Sequence, residues 1–509
     1  MNKSSRTPYY ILAISILAQI ALTYSFALTL RYELKTSAND GVQFSQIMLN
    51  FIAGNDLVST IAPPYTEQSY LGIHFSPIIY AIVPVFYLFP YIETLLFLHS
   101  LFIALAAIPI FFIARKLLTS SYHALVISTF YLINPFVVNA QIWDFREIAF
   151  APLTLSLILW AVINHKKHWL IFFCAILLTI KEHYGLAVLG TGLLWAWHWH
   201  EPKFGIALAT VGLISFLIVI KILMPYFNPE GTVLMMMENS EIDRFSWLTH
   251  PFRDMDFLIK RITETIFYAI VLLFSLWFQP LFSFVWLLPA LADGAINSLA
   301  TEDMLRHPSA YHSAALIPVL LIAYTKTISE RYTNTTNIKN WEMLTVTALM
   351  VTAFSYGFVS LPNFPNNFWE FSKPRLSLSS ENQLARDEVA KIVGTTAPLS
   401  IQNNLMPHIP VRRFMYIFPN SIENSEYIVI STDLLFKKKQ HAFGIPYQNS
   451  YFSSVDQIMN DKNWGVVFYK NNWLVFKRGE ENNPTLHAAA AQDIIQLQKD
   501  FAELLKKKQ

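Results

Sequence analysis

Charge is scarce in this chain of 509 residues. Asp, Glu, Lys and Arg make up 14% of it, against about 25% in soluble globular domains. That shortage excludes an ordinary soluble enzyme and a disordered chain. Neither sign dominates: the formal net charge is +2, which excludes a nucleic-acid binder driven by bulk positive charge. Cysteine is almost missing. The single thiol, Cys174, forms neither an internal disulfide nor a Cys-based metal centre, and its apolar run marks it as a small core residue. No internal repeat is visible. What the chain has in abundance is apolar residues, 54%, and aromatics, 15%, with 40 Phe. Gathered in long runs, these describe a protein that crosses a membrane many times.

The few charges are unevenly spread. Residues 361–509 carry 31 of the 72 charged side chains. The chain therefore divides into a membrane part, residues 1–360, and a more polar part, residues 361–482, followed by a Lys-rich tail, 483–509. The run from Tyr9 to Leu30 is longer than a signal-peptide core and lacks a cleavage site. It reads as an uncleaved first helix, its N-terminus held in the cytoplasm by Lys3 and Arg6. Further apolar runs fall near 91–114, 122–141, 148–164, 168–181, 184–199, 204–225, 264–279, 281–297, 310–325 and 342–360. The expectation is a polytopic α-helical membrane protein of about eleven transmembrane helices. Arg115–Lys116, His165 to Lys167, Lys203 and Lys326 to Lys339 then all lie inside, as basic loops should. This orientation puts the C-terminal region outside a cytoplasmic (inner) membrane. The stretch 75–90 is apolar but short and holds three prolines, so it reads as an interfacial or dipping segment.

In the polar part, Glu381 to Val393 is helical and closed by Gly394. Leu399–Gln402, Phe414–Phe418 and Tyr427–Ile430 read as strands. Gly465–Lys470 and Trp473–Lys477 form a hairpin turning on Asn471–Asn472. Strands mixed with helices suggest a small extracytoplasmic α/β domain. The Ala-rich tail reads as a solvated helix.

Ionisable residues beside apolar runs are expensive and need a reason. In this topology they collect on the outer side. Asp40 precedes Gly41 and suits either a helix N-cap or a base that handles substrate. His74 is a turn residue or a ligand. Asp144 and Glu147 lie three apart and share a face on a helical turn, with Arg146 between them as a neutralising or binding group. Lys181, Glu182 and His183 interrupt some thirty apolar residues. They form a polar turn, or a site where Lys181 takes phosphate. Asp293 reads as a helix-end residue. Tyr311 and His312 form an interfacial anchor pair or a substrate contact. In the C-terminal region His408, with Arg412 and Arg413, is the one polar cluster.

These residues carry a resemblance. Asp40 to Gln46, Gly72-Ile73-His74-Phe75-Ser76-Pro77, Trp143-Asp144-Phe145-Arg146-Glu147-Ile148-Ala149, Lys181-Glu182 and Tyr311-His312-Ser313 are similar to the membrane family named domain of unknown function 2079. So are Asn403 to His408, Arg412–Arg413 and Tyr416 to Pro419. That family resembles the GT-C glycosyltransferases, polytopic enzymes that use sugars linked to lipid phosphate. The resemblance implies a GT-C-like fold, a polyprenyl-phosphate-linked sugar as partner, and Asp40 as catalytic carboxylate. Many GT-C enzymes show two adjacent acids in the first outer loop. Here Asp40 follows Asn39, and Ser45 stands where the related family often has Asp.

The chemistry is coherent on physical grounds. One carboxylate deprotonates or orients an acceptor hydroxyl. Positive charge stabilises the departing lipid phosphate, from Lys181, Arg146 or His312. A divalent cation on Asp40, Asp144 or His74 is an alternative source of that charge. Two other classes stay open: a lipid or solute transporter or flippase, and a non-catalytic envelope scaffold. The sugar, the acceptor and the oligomeric state are not written in the sequence.

Overall fold

A computed structural model of the chain describes residues 6–38, 40–62, 65–228, 255–299, 303–306, 310–332, 347, 374–433 and 448–506. The helical part opens with α1 (Thr7–Tyr32) and α2 (Gly41–Ile52). A two-residue antiparallel ribbon, β1 (Val58–Ser59) with β2 (Gln68–Ser69), leads to the short α3 (Tyr70–Ile73). Then come α4 (Ile79–Leu88), α5 (Ile92–Leu105), α6 (Ala107–Leu118), α7 (Ser121–Leu132), α8 (Pro135–Ile142), α9 (Ala151–Ile163), α10 (Lys167–Leu178), α11 (Tyr184–Trp199) and α12 (Pro202–Ile218). Further helices cover Met255–Phe274, Leu291–Leu299 and Leu316–Tyr332.

Among the described residues, four helices are long and apolar enough to cross a membrane: Thr7–Tyr32, Ile92–Leu118, Pro202–Phe227 and Gln279–Ser298. The pair α7 and α8 makes a fifth candidate, bent by 52°. Its break has a local cause. Pro135 lacks an N–H and starts a new helix, which Asn134 caps by accepting from Phe136 N at 3.0 Å. The helices α9 and α10 are apolar but shorter. The expected span 342–360 lies outside the described residues, except for Thr347. With 10 residues, α4 is about 15 Å long, half a hydrocarbon core.

The helices share one large apolar core, which includes Phe111, Tyr131 and Trp195. Close approach is bought with glycine where α11 meets α12: a Cβ on Gly192 would lie 2.5 Å from Gly205 O. Small residues of this kind let membrane helices pack backbone to backbone.

The C-terminal region forms a five-stranded sheet of order β4-β3-β5-β7-β6, built from β3 (Leu399–Ile401), β4 (Met415–Ile417), β5 (Tyr427–Ser431), β6 (Trp464–Lys470) and β7 (Trp473–Arg478). Strand β3 runs parallel to β4 and β5, and β7 antiparallel to β5 and β6. The expected hairpin is present, with Asn471 and Asn472 at φ 50° and 66°, the conformation its two-residue turn demands. Alternation along β5 sends its side chains to two cores. Tyr427 and Val429 face helix Ser380–Val393, the end of α1 and the start of α2. Ile428 and Ile430 face helices Gln448–Asn460 and Pro484–Lys506. The tail is thus helical but not a free solvated helix: Ala490, Ile494, Leu497 and Phe501, spaced three to four apart, are buried against the sheet.

Candidate functional site

The segment between α8 and α9 is extended before it turns, and its side chains alternate. Phe145 is fully buried against Phe44, ring centroids 4.9 Å apart. Its neighbours Asp144 and Arg146 face the other way, toward the start of α2. The backbone there is fixed by His99 of α5. Its Nδ1 accepts from Arg146 N at 3.2 Å, while Nε2 donates to Ala140 O at 2.7 Å.

Asp40 stands at the N-cap position of α2, but its carboxylate does not cap the helix. Oδ1 pairs with Arg146 Nη2, and Oδ2 accepts from Trp143 Nε1 at 3.1 Å. Arg146 lies over the Tyr311 ring, 5.3 Å from its centroid, and Trp143 sits 5.5 Å from the same ring. The sequence leaves Arg146 either to neutralise Asp144 and Glu147 beside it or to bind. In the structure it reaches across to Asp40, because an extended segment does not bring i and i+3 onto one face. Asp144 accepts from Phe145 N at 2.8 Å and crowds Gly41, where a Cβ would meet its Oδ1 at 2.5 Å. Asp144 thus lies beside Asp40 although the two come from different segments.

Glu147 begins a short 3-10 turn. It pairs through Oε1 with Lys181 Nζ at 2.9 Å and accepts from Tyr70 OH at 3.3 Å. On the flank Glu182 pairs with His74 Nδ1 and accepts from Phe75 N, both at 3.2 Å. The structure thus brings Asp40, Asp144, Arg146, Glu147 and Lys181 together, with His74 and Glu182 adjoining. His183 pairs separately with Asp293 at 3.0 Å. His312 is half-buried and lies tilted against the Tyr311 ring, centroids 4.0 Å apart. In the C-terminal region Arg412 donates to Val393 O and Ala397 O at 3.0 Å and to Gly394 O at 2.7 Å. It closes a helix end. Arg413 pairs with Glu67 at 2.6 Å, and His408 is buried.

Burial and charge pairing compete in the electrostatics. Burial pushes the Asp144 carboxyl up to about 7, aided by the nearby Asp40. Asp40 is also raised by burial, against the pull of Arg146 and Trp143. Burial alone would lower Lys181, but Glu147 and Glu182 outweigh it and hold the ammonium above its usual range. Glu182 is likewise held low, since His74 and Lys181 overcome its desolvation. A resident divalent cation does not suit these residues. Asp40 is engaged by a guanidinium and an indole, and among the described residues no three His, Cys, Asp or Glu converge.

The sequence matches the family described as predicted membrane protein DUF2079 over residues 30–475. The chain belongs to this family. No curated protein matches it. The fold of this DUF2079 protein is similar to that of ArnT from Cupriavidus metallidurans bound to undecaprenyl phosphate. That match has a TM-score of 0.56 at 12% identity and covers 93% of this chain and 98% of the other. Apo ArnT from the same organism matches with a TM-score of 0.53, again at 12% identity and with coverages of 93% and 98%. The agreement speaks for the fold, and it is in keeping with the GT-C resemblance of the sequence.

In this DUF2079 chain, two site residues escaped the sequence reading: His99 and Tyr70. His99 carried a signal, being an imidazole inside an apolar helix. Tyr70 did not, because core positions take the same residue.

Proposed function

We propose that this protein is a membrane transferase that moves a sugar from a polyprenyl-phosphate donor to an envelope acceptor, with Asp40 as the reacting carboxylate. One observation carries the reading: Asp40 is buried, spared from capping, and oriented by Arg146 and Trp143. The fold shared with a protein solved with undecaprenyl phosphate supports the choice of donor.

The acceptor hydroxyl attacks the anomeric carbon, and its proton passes to Asp40. The bond from that carbon to the phosphate oxygen breaks, and the phosphate leaves with the added negative charge. Two donors stand ready for it. Arg146 Nε is buried with no hydrogen-bond partner. Lys181 uses one of its three N–H groups on Glu147. His74, Glu182, His183, Tyr311 and His312 would shape the surrounding contacts. In the same reading residues 1–360 are the transmembrane unit. Residues 361–482 form an α/β domain outside the inner membrane, residues 483–509 are its helical appendage, and the N-terminus is cytoplasmic.

The test incubates purified wild type and Asp40→Asn with a panel of polyprenyl-phosphate sugars and an envelope extract that supplies acceptor hydroxyls, followed by mass spectrometry. Loss of sugar from the lipid with wild type, and a drop of about 100-fold or more in Asp40→Asn at equal protein level, is expected. Full activity of Asp40→Asn would remove Asp40 from the mechanism. Flux into proteoliposomes with no glycan product would favour a transporter.

A further inference from the structure

Among the described residues, the segment that leads to Asp40 has no regular structure of its own. It links α1 to α2, and Leu34 within it adopts φ 60°, a left-handed conformation that costs a branched residue energy unless its surroundings impose it. The surroundings come from residues 402–415. Leu34 and Ala38, 3% and 0% exposed, pack in one core with Leu405 and Met406. Two adjacent amides then grip the backbone. Asn403 Oδ1 accepts from Ala38 N at 2.6 Å and from Ser37 Oγ at 3.2 Å. Asn404 Nδ2 donates to Leu34 O at 3.2 Å.

The grip is itself anchored. Gln402 Nε2 donates to Asn404 Oδ1 at 3.0 Å, and Gln402 Oε1 accepts from Ser431 N and Tyr451 OH, both at 2.8 Å. This ties the amides to β5 and to helix Gln448–Asn460. Farther along α2, Gln46 Nε2 donates to Arg412 O at 3.1 Å and Arg413 O at 2.9 Å. Ala38 also accepts from Gln43 N at 3.2 Å, so its peptide sits in the frame that starts α2. The Asp40 carboxylate itself turns away toward Arg146 and Trp143.

We infer that Asn403 is a positioning residue for Asp40: by holding Ala38 N–H it sets where the carboxylate stands, and so makes the C-terminal sheet part of the active site. The inference rests on reading Asp40 as the reacting group. It predicts a loss of rate without loss of donor affinity, since a misplacement of about 1 Å costs about 100-fold in rate and the phosphate-binding side chains are untouched.

The experiment uses the full chain in nanodiscs and reads two quantities: hydrogen exchange over residues 34–42, and kcat and KM for the polyprenyl-phosphate donor. In Asn403→Ala, exchange of that segment rises about tenfold or more, and kcat falls about 10- to 100-fold at nearly unchanged KM. Asn403→Asp keeps an acceptor for Ala38 N–H and restores both. Lys470→Ala, which removes an exposed pair between the end of β6 and Glu388 of helix Ser380–Val393, changes neither. Unaltered protection of residues 34–42 in Asn403→Ala overturns the grip. Lost protection with unaltered kcat overturns its catalytic role. If Asn403→Ala does not fold, Asn403→Asp carries the test, and a loss of kcat as deep as that of Asp40→Asn overturns the inference. If wild type turns over no donor, the reading of Asp40 fails. The exchange data then decide by themselves whether Asn403 holds the segment.

Discussion

Helix α10 has a Lys–Glu pair at each end. Just past its C-terminus Lys181 meets Glu147 at 2.9 Å; at its N-terminus Lys167 meets Glu201 at 2.8 Å. Each glutamate also accepts from an aromatic side chain, Tyr70 OH at 3.3 Å in the first and Trp195 Nε1 at 2.9 Å in the second. In their partners the pairs are near twins. By medium they differ: Lys181 and Glu147 are 11% and 0% exposed, Lys167 and Glu201 41% and 32%. Water weakens the attraction in the exposed pair and also makes its loss cheap. In the buried pair each charge is held against its desolvation chiefly by the other. A chain keeps such an arrangement against its desolvation cost where a function needs charge, which is why the Lys181 end of α10 and not the Lys167 end is the candidate site.

The hardest test of that contrast is Glu147→Ala. It leaves the Lys181 ammonium buried and unpaired, and a loss of about 3–5 kcal/mol is expected, seen as a collapse of the thermal unfolding midpoint in detergent. A midpoint near that of wild type would mean that the site is wetter than its burial implies.

A middle-sized effect concerns pH. The folded Asp144 carboxyl is raised to about 7 by burial and by Asp40, above its value in the unfolded chain of about 4. Between these values the folded state binds the extra proton, so stability falls as pH rises from about 4 to 7 and levels off above. Asp144→Asn should flatten that fall, worth on the order of 1–3 kcal/mol, when midpoints are measured at pH 5 and pH 8. Equal slopes for the two proteins would show that Asp144 titrates normally.

The smallest effect is at the exposed pair. Glu201→Gln should move the midpoint by less than about 2 °C and leave donor turnover unchanged. A large shift would erase the distinction between the two ends of the helix.

The same contrast shows what could be read from sequence. Charges that interrupt apolar runs are visible in one dimension, so Asp40, Asp144, Glu147 and Lys181 could be gathered on one side from topology alone. Their partners could not. Arg146 sits one residue from Glu147 and two from Asp144, yet it bonds with Asp40, a pairing set by tertiary proximity. The hairpin at Asn471–Asn472 was legible because the turn itself demands such residues. The docking of the Pro484–Lys506 helix was written in the spacing of Ala490, Ile494, Leu497 and Phe501, but the polar composition around them hid it. Nothing local in Asn403 announces that it bonds to Ala38, 365 positions away.

That distance has a consequence for biosynthesis. Residues 34–40 leave the ribosome long before Asn403 and Asn404 exist. At about 5–20 residues per second, the segment waits on the order of 20–70 s for its grip. During that interval the helices insert while the loop with Asp40 is still unseated. The protein therefore ripens from its last third backward, and a chain released before the sheet closes would be inserted in the bilayer with the Asp40 segment still unheld.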